Sequence, residues 1–136
     1  MESRIVVSLV LEKDGQLLLG RKKNGVGPYP NSWLILGGGM DLGKETTSEA
    51  LRRETQEEAG IEIGDIEQIG FDEDNEPDKD GVMTHYLFLI FKAKWISGDP
   101  RPGDDIVELR WFTKSDFPSI PLPRPSLRLF KKLGYL

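Results

Sequence analysis

The chain has 136 residues, of which 38% are hydrophobic and 30% charged, and its formal net charge is −5. This size and composition predict one domain over residues 1–136 with a single core. The negative charge argues against binding to long nucleic acid or to an anionic membrane surface. The absence of cysteine excludes disulfides, zinc-thiolate sites and thiol nucleophiles.

The N-terminal part of the chain predicts a hairpin followed by a loop. Arg4–Leu11 is rich in β-branched residues and predicts a strand, Glu12–Gly15 predicts a turn, and Gln16–Arg21 predicts the returning strand. Lys22–Ser32 is rich in Gly, Pro and Asn and predicts a loop. This start lacks the features of a signal peptide, so a cytoplasmic location is expected.

A short buried strand, a glycine-rich loop and a helix are predicted next. The strand is Trp33–Leu36, and the loop is Gly37–Glu45. Thr46 and Glu49 fit a capping box at the start of the helix, and Gly60 fits its C-terminal stop. The side chains predicted to pack against a sheet are Ser48, Leu51, Thr55 and Ala59.

The second half of the chain predicts more strands than helices. The strands are Ile61–Phe71, Val82–Trp95 and Ile106–Phe112, and the segments between them, Asp72–Gly81 and Ile96–Asp105, are predicted as loops, the first of them acidic and solvated. The tail Pro121–Leu136 is expected to start extended and to end as a short helix. This order of elements indicates an α+β or α/β layered domain. The longest apolar run, Tyr86–Phe91, is too short to cross a bilayer.

The predicted helix carries three carboxylates, Glu54, Glu57 and Glu58, on the edge beside its packing face. Like charges three or four positions apart on a helix repel each other. A solvated helix face is the simple explanation, but a glycine-rich loop and a buried strand directly precede this helix. Oxygen ligands on one face suit a hard divalent ion such as Mg²⁺, which is usually held by a few carboxylates and substrate phosphates. The array therefore points to phosphoryl chemistry.

The segment from Gly39 to Ile61, GMDLGKETTSEALRRETQEEAGI, resembles the signature box of the Nudix (MutT-like) hydrolases. The residues that fall at the required spacing are Gly39, Glu45, Arg53, Glu54, Glu57, Glu58, Gly60 and Ile61. The flanking stretches LLLGRK, SWLILGGG and VELRWF also resemble the family, so the resemblance covers nearly the whole chain. Leu36 and Thr55 depart from the usual residues, proline and an apolar residue respectively.

The resemblance implies an α/β/α sandwich around a mixed β-sheet. It also implies Mg²⁺-dependent hydrolysis of a nucleoside diphosphate linked to another group, with Mn²⁺ as the alternative ion. Glu54, Glu57 and Glu58 would ligate the metal, together with the backbone carbonyl of Gly38 or of Gly37. Glu54 would help to deprotonate the attacking water.

The resemblance also implies that Arg53 pairs with Glu45 and holds the loop against the helix. It further implies that Asp105 or Glu108 places another carboxylate by the cleft, with surface charge as the alternative. His85 lies in a strand pattern and is expected to be structural.

Among Nudix enzymes, the chain looks most like small members that cleave nucleoside triphosphates to a monophosphate and pyrophosphate. Arg21 is a candidate for contacting the triphosphate, although a solvent-exposed charge is equally compatible with its position. Trp33 is a candidate for stacking on the base, as are Phe71 and Tyr86, although aromatic residues in strands more often belong to the core.

Several alternatives stay open. An ADP-sugar pyrophosphatase is the main one, because some such relatives carry a proline at the position of Pro77. Diadenosine polyphosphates and capped RNA are further substrate classes, and a non-catalytic domain that senses a nucleotide is an alternative of another kind. Small relatives often form homodimers, to which the apolar tail would contribute.

Overall fold

The computed structural model of the protein describes residues 1–23 and 27–136. Within these ranges the elements in chain order are β1 (Glu2–Lys13), β2 (Gln16–Lys22), β3 (Trp33–Leu34), β4 (Leu36–Gly39), α1 (Thr47–Ala59), β5 (Glu62–Pro77), β6 (Met83–Ser97), β7 (Ile106–Thr113), a 3₁₀ helix (Lys114–Ser119) and α2 (Arg124–Lys132).

Strand β1 organises the sheet because it pairs with three other strands. It runs parallel to β6 and antiparallel to β4, and its C-terminal end forms the predicted hairpin with β2. The hairpin turn consists of Asp14 and Gly15, both with positive φ, as a tight two-residue turn requires. Strand β5 pairs with β6, while β3 and β7 pair with β2. The sheet is therefore mixed, as predicted.

Alternate residues of β1 point to opposite faces of the sheet. Val7 and Leu9 belong to a buried cluster that includes Leu51 of α1. Val10 belongs to a second buried cluster that includes Phe130 of α2. The two helices thus cover opposite faces, which confirms the predicted α+β sandwich.

Helix α1 begins and ends where its capping residues predict. The Thr46 hydroxyl accepts a hydrogen bond from the Glu49 amide, the Glu49 carboxylate accepts one from the Thr46 amide, and Gly60 adopts the left-handed conformation. Leu51 and Thr55 are buried as predicted.

One residue of the predicted packing stripe on α1 is placed differently. Ser48 is exposed, and Ala50 is buried instead. The buried face is therefore rotated towards Glu54 and Glu58, which are also buried. These two carboxylates thus share the packed side of the helix instead of lying beside it, whereas Glu57 is exposed.

The predicted strand Trp33–Leu36 is two short strands, β3 and β4, and β4 continues through Gly37 to Gly39. The three glycines therefore belong to the sheet and not to a loop, because backbone pairing with β1 needs no side chain. The predicted loop Lys22–Ser32 starts one residue later, since Lys22 ends β2. Residues 24–26 of that loop lie outside the described residues.

The prediction of a solvated acidic loop from Asp72 to Gly81 is wrong for its first half. Strand β5 continues to Pro77, and Asp72 and Asp74 pair with Phe88 and Tyr86 of β6. Inward-facing acidic residues on this stretch alternate with exposed residues. Pairing with β6 extends the strand although its sequence lacks apolar alternation.

The C-terminal tail forms the predicted short helix, α2, after an extended segment. The preceding 3₁₀ helix was not predicted; its Phe117 packs on Phe130 with ring centroids 4.6 Å apart. Neither α-helix of the described chain is long and apolar enough to span a membrane.

Candidate active site

A cleft of about 400 Å³ lies between the sheet and the start of α2. Its floor consists of neighbouring residues on β1 and β6, which alternate along each strand and therefore face the same side. The paired floor residues are Arg4 and Tyr86, Val6 and Phe88, and Ser8 and Ile90. Glu54 and Glu58 of α1 line the cleft beside β4, which lies on the opposite side of β1 from β6, and residues around the start of α2 line the cleft as well.

The glycines of β4 form the wall between α1 and the cleft. A Cβ atom on Gly38 would overlap the carboxylate of Glu54, and one on Gly37 would overlap the carbonyl oxygen of Val7. Gly37 also has a φ of 148°, which side-chain-bearing residues rarely adopt. The absence of side chains here lets the helix carboxylates reach the cleft past the backbone.

Glu54 and Glu58 are buried, with 8% and 5% of their surface exposed. A Glu54 oxygen accepts a hydrogen bond from Arg53 Nη1 at 2.9 Å, and Glu58 Oε1 accepts one from the Gly37 amide at 2.8 Å. Burial raises the pKa of Glu58 to about 8, although the hydrogen bond from the Gly37 amide acts to lower it. Burial also raises the pKa of Glu54, against the charge and hydrogen bond of Arg53.

The predicted contact between Arg53 and Glu45 is present and is bidentate. Arg53 Nη2 donates to one oxygen of Glu45 at 2.7 Å and Nε donates to the other at 2.9 Å. This pairing lowers the pKa of Glu45 to about 2 and raises that of Arg53. Arg53 Nη2 also reaches the Gly39 carbonyl at 3.2 Å, so that this one side chain ties the loop, β4 and α1 together.

Glu57 differs from its two neighbours because its side chain is 44% exposed and does not line the cleft. It accepts from Arg53 Nη1 at 3.3 Å, so the guanidinium lies between Glu57 and Glu54. In the described ranges no three acidic or histidine side chains are arranged to hold a metal ion. The three glutamates are thus close in the chain, but they do not converge on one point.

The donor set nevertheless suits a hard divalent cation. Glu54 and Glu58 offer buried carboxylate oxygens, and the Glu54 carboxylate lies against Gly38 in the space that a Cβ would occupy. Oxygen ligands of this kind are those that Mg²⁺ and Mn²⁺ prefer. A cation here would compete with Arg53 for Glu54 and Glu57.

Two further carboxylates, Asp104 and Asp105, reach the cleft from the loop that precedes β7. The Gly103 amide donates to the Glu58 carbonyl at 3.0 Å, and the Arg101 amide donates to the Ala59 carbonyl at 2.9 Å. This loop therefore caps the C-terminal end of α1. Sequence reasoning missed Asp104. The preceding Gly103 was the available signal for a close approach of this loop to α1, because a Cβ there would overlap the Glu57 carbonyl.

Two predicted substrate contacts, Trp33 and Arg21, do not line the cleft. Trp33 is buried in the second core cluster, with its ring centroid 4.8 Å from that of Phe112. Arg21 pairs with Glu108, its neighbour across β2 and β7, at 3.2 Å. Glu108 also bonds Arg110, and it too lies outside the cleft lining.

The other candidates are divided between the cleft and the surface. Tyr86 is buried and lines the cleft, whereas Phe71 is exposed and Pro77 lies at the end of β5 outside the cleft lining. His85 forms a hydrogen bond of 2.7 Å with Asn75 on the neighbouring strand, consistent with the structural role predicted for it.

Sequence reasoning also missed two of the three rings, Tyr29, Tyr86 and Phe88, that form what we call the aromatic end of the cleft. Tyr86 and Phe88 stack with centroids 5.9 Å apart and an interplanar angle of 18°, and Tyr29 lies 6.5 Å from Phe88. Phe88 was within reach of a sequence argument, because residues two apart on a strand share a face. Lysine and arginine side chains line the cleft as well, namely Arg4, Lys22 and Lys79.

Comparisons with known proteins agree with this architecture. A family model described as the NUDIX domain matches residues 1–133. The nucleoside triphosphatase NudI of Enterobacter sp. (strain 638) is 28% identical, over 100% of this chain and 100% of its own length. The ADP-ribose pyrophosphatase of Methanocaldococcus jannaschii is 30% identical, over 85% of this chain and 65% of its own length.

A solved structure shares the fold. The crystal structure of a MutT NUDIX hydrolase from Burkholderia pseudomallei superposes with a TM-score of 0.79 at 26% identity. The match covers 92% of this chain and 93% of that one. Together with the family match, this similarity shows that the chain belongs to the Nudix hydrolase family.

Proposed function

We propose that the protein hydrolyses nucleoside triphosphates, of the ribo or deoxy series, to a nucleoside monophosphate and pyrophosphate. Nudix hydrolases act on small nucleotides and use divalent metal ions. The observation that carries the proposal is one cleft lined by buried carboxylates beside β4 and by stacked aromatic rings on β6, on the other side of β1. Similarity to a nucleoside triphosphatase over the full length of both chains supports it.

The reaction transfers the nucleotidyl group of the triphosphate to water. The water oxygen forms a bond to the α-phosphorus, the bond to the bridging oxygen breaks, and pyrophosphate leaves with that oxygen. One proton of the water is released. Both products are anionic, so the site must offset negative charge throughout.

Glu54 and Glu58, with a carbonyl of Gly38 or Gly37, would hold Mg²⁺ or Mn²⁺, and Glu57 would join them from the exposed side. Once bound, the cation would offset the charge of the phosphate oxygens and act as a Lewis acid towards phosphorus. The burial and donor chemistry of Glu54 and Glu58 support this proposal, whereas Glu57 would have to turn towards the cleft from its exposed position.

Glu54 is the proposed proton acceptor. Its carboxylate lines the cleft beside Gly38, next to the proposed cation site, where the attacking water would lie. Arg53 holds Glu54 in place through Nη1 while its other nitrogens grip Glu45. Arg4, Lys22 and Lys79 line the cleft and would attract the triphosphate.

The test is hydrolysis of a nucleotide panel with and without added Mg²⁺, scored by product identity. Monophosphate plus pyrophosphate is the expected outcome, abolished by chelation and by Glu58→Gln. Glu67→Gln is the matched control, because Glu67 is an exposed glutamate paired with Lys92 on the sheet edge. Equal loss in the control, or no turnover of any triphosphate, would contradict the proposal.

A second candidate is hydrolysis of ADP-ribose or a related ADP-sugar. Similarity to an ADP-ribose pyrophosphatase over most of this chain favours it, although Pro77 lies outside the cleft lining. AMP plus ribose phosphate as the dominant products would establish this candidate instead. Tight nucleotide binding without turnover would identify the sensing alternative.

A further inference from the structure

Asp74 of β5 connects two walls of the cleft. One of its carboxylate oxygens accepts a hydrogen bond from the Tyr29 hydroxyl at 2.6 Å and another from Arg124 Nη2 at 3.0 Å. Only 14% of the Asp74 side chain is exposed. A nearly buried carboxylate with two charge-assisted hydrogen bonds is held in one orientation, and it fixes its donors in turn.

Tyr29 is the first of these donors, and it precedes β3 in a turn. Its ring lies against Phe88, which stacks on Tyr86. Burial and the hydrogen bond to Asp74 raise the pKa of Tyr29, so its hydroxyl stays protonated and remains a donor. Its φ of 57° is unusual for a residue with a side chain, so a contact that holds the ring also holds a strained backbone.

Arg124 is the second donor, and it is the first residue of α2. It also bonds Glu76 at 2.7 Å, so β5 grips the start of the helix through two carboxylates. Pro123 and Pro125, on either side of Arg124, line the cleft. Asp74 therefore sets where the helical wall stands relative to the aromatic rings.

Arg128 provides an internal comparison. It lies one turn further along α2 and bonds Asp72 at 2.8 Å and the Glu73 carbonyl at 3.1 Å. It anchors the same helix to the same strand, and it does not itself line the cleft, although its partner Asp72 does.

We propose that Asp74 is a positioning residue that sets the affinity for the nucleobase by holding Tyr29 and the start of α2 at the aromatic end of the cleft. This inference rests on the proposed function, because that function assigns the aromatic end to the base. Asp74 does not touch the phosphates in this assignment, so its effect is confined to the base side.

The test is calorimetric titration of the full chain with two kinds of ligand, one that reports on the base side of the cleft and one that reports on the phosphate side. The base-side ligands are the monophosphates of adenosine, guanosine, cytidine, uridine and thymidine, and the phosphate-side ligand is inorganic pyrophosphate with Mg²⁺. Asp74→Asn should lower the affinity for the tightest-binding monophosphate about tenfold, and Tyr29→Phe should lower it several-fold. Neither variant should change the affinity for pyrophosphate. In the double variant the loss should be smaller than the two single losses combined, because both variants act on one contact. In turnover, KM should rise while kcat is retained.

Arg128→Gln is the matched control and should leave both affinities unchanged. An equal loss of monophosphate affinity in that control, or equal losses for monophosphate and pyrophosphate in Asp74→Asn, would overturn the inference. Should Asp74→Asn fold poorly, Tyr29→Phe carries the same test, since it removes a single hydroxyl.

The inference and the proposed function fail in different ways. Triphosphate turnover with an unaltered KM in Tyr29→Phe and Asp74→Asn would overturn the inference alone. Monophosphate binding that the variants weaken, in a protein without turnover, would support the inference and overturn the proposed function. A wild-type protein that neither binds a monophosphate nor turns over a nucleotide would overturn both.

Discussion

Two acidic regions of this chain look alike in sequence and differ in charge balance. On β5, Asp72, Asp74 and Glu76 face α2, and each is paired with an arginine of that helix. On α1, Arg53 is shared among Glu45, Glu54 and Glu57. Glu58 is the extreme case, since its described hydrogen-bond partner is one backbone amide.

The difference indicates which carboxylates build the fold and which build the site. The β5 acids join a strand to a helix, and their three carboxylates share two arginines, whereas Glu45, Glu54 and Glu57 share the single Arg53. Burying a carboxylate without a full partner costs stability, and proteins accept that cost mainly where the group has chemical work. The unmatched pair Glu54 and Glu58 is therefore the proposed cation site, and the β5 acids are its scaffold.

The largest expected effect separates the two regions by activity. Glu58→Gln and Glu54→Gln should each lower kcat/KM at least about 10²-fold, because each removes a charged oxygen from the reacting end of the cleft. Glu76→Gln on β5, which removes one of two partners of Arg124, should stay within about threefold. The measurement is the steady-state kcat/KM of the three variants. A similar decrease of kcat/KM in Glu58→Gln and Glu76→Gln would contradict the assignment of the two regions to site and scaffold.

A second prediction concerns the glycine wall. Gly38→Ala should reduce kcat by about 10²-fold, because its Cβ displaces the Glu54 carboxylate by a distance that matters for catalysis. Circular dichroism should show a folded protein, since the pairing of β4 with β1 uses backbone groups. A fully active Gly38→Ala would mean that Glu54 does not need its present position.

A third prediction uses the pH dependence of stability in metal-free protein. The pKa of Glu58 is about 8 when folded and near the ordinary 4.5 when unfolded. The folded state therefore binds this proton more tightly, so the stability it contributes is complete below pH 4.5 and is lost as the pH rises to about 8. Glu58→Gln should flatten this decline in chemical denaturation between pH 5 and 8. An unchanged slope in the variant would contradict the assignment.

The smallest effect is expected on the matched side. Arg128→Gln should lower the free energy of unfolding by about 0.2–1 kcal/mol, because its ion pair with Asp72 is partly exposed. The difference from wild type should shrink in 1 M NaCl, where such pairs are screened. A loss of several kcal/mol would show that this pairing dominates the docking of α2.

Local signals explain what the sequence could predict. The cap of α1, its C-terminal stop and the spacing of its glutamates all lie within a few turns of one helix, so Thr46, Glu49 and Gly60 suffice to place it. The contact between Arg53 and Glu45 could also be predicted, because both residues lie in the segment that resembles the Nudix signature box.

Distant partners explain what the sequence could not predict. The second half of β5 carries acidic residues without apolar alternation, and its partners, β6 and the arginines of α2, follow only later in the chain. Trp33 was equally ambiguous, because a strand pattern does not say whether an aromatic ring faces a cleft or a core. Its partner Phe112 lies on β7, far along the sequence.

The central claim is that Glu54 and Glu58 bind a divalent cation together with the nucleotide. The most direct measurement is a crystal structure of Glu57→Gln protein with Mn²⁺ and a nucleoside triphosphate, using anomalous scattering to locate the metal. We predict Mn²⁺ within about 2.2 Å of oxygens of both Glu54 and Glu58, with the base among Tyr29, Tyr86 and Phe88. Mn²⁺ bound only among the β5 carboxylates, with Arg53 and the Gly37 amide still holding Glu54 and Glu58, would contradict it.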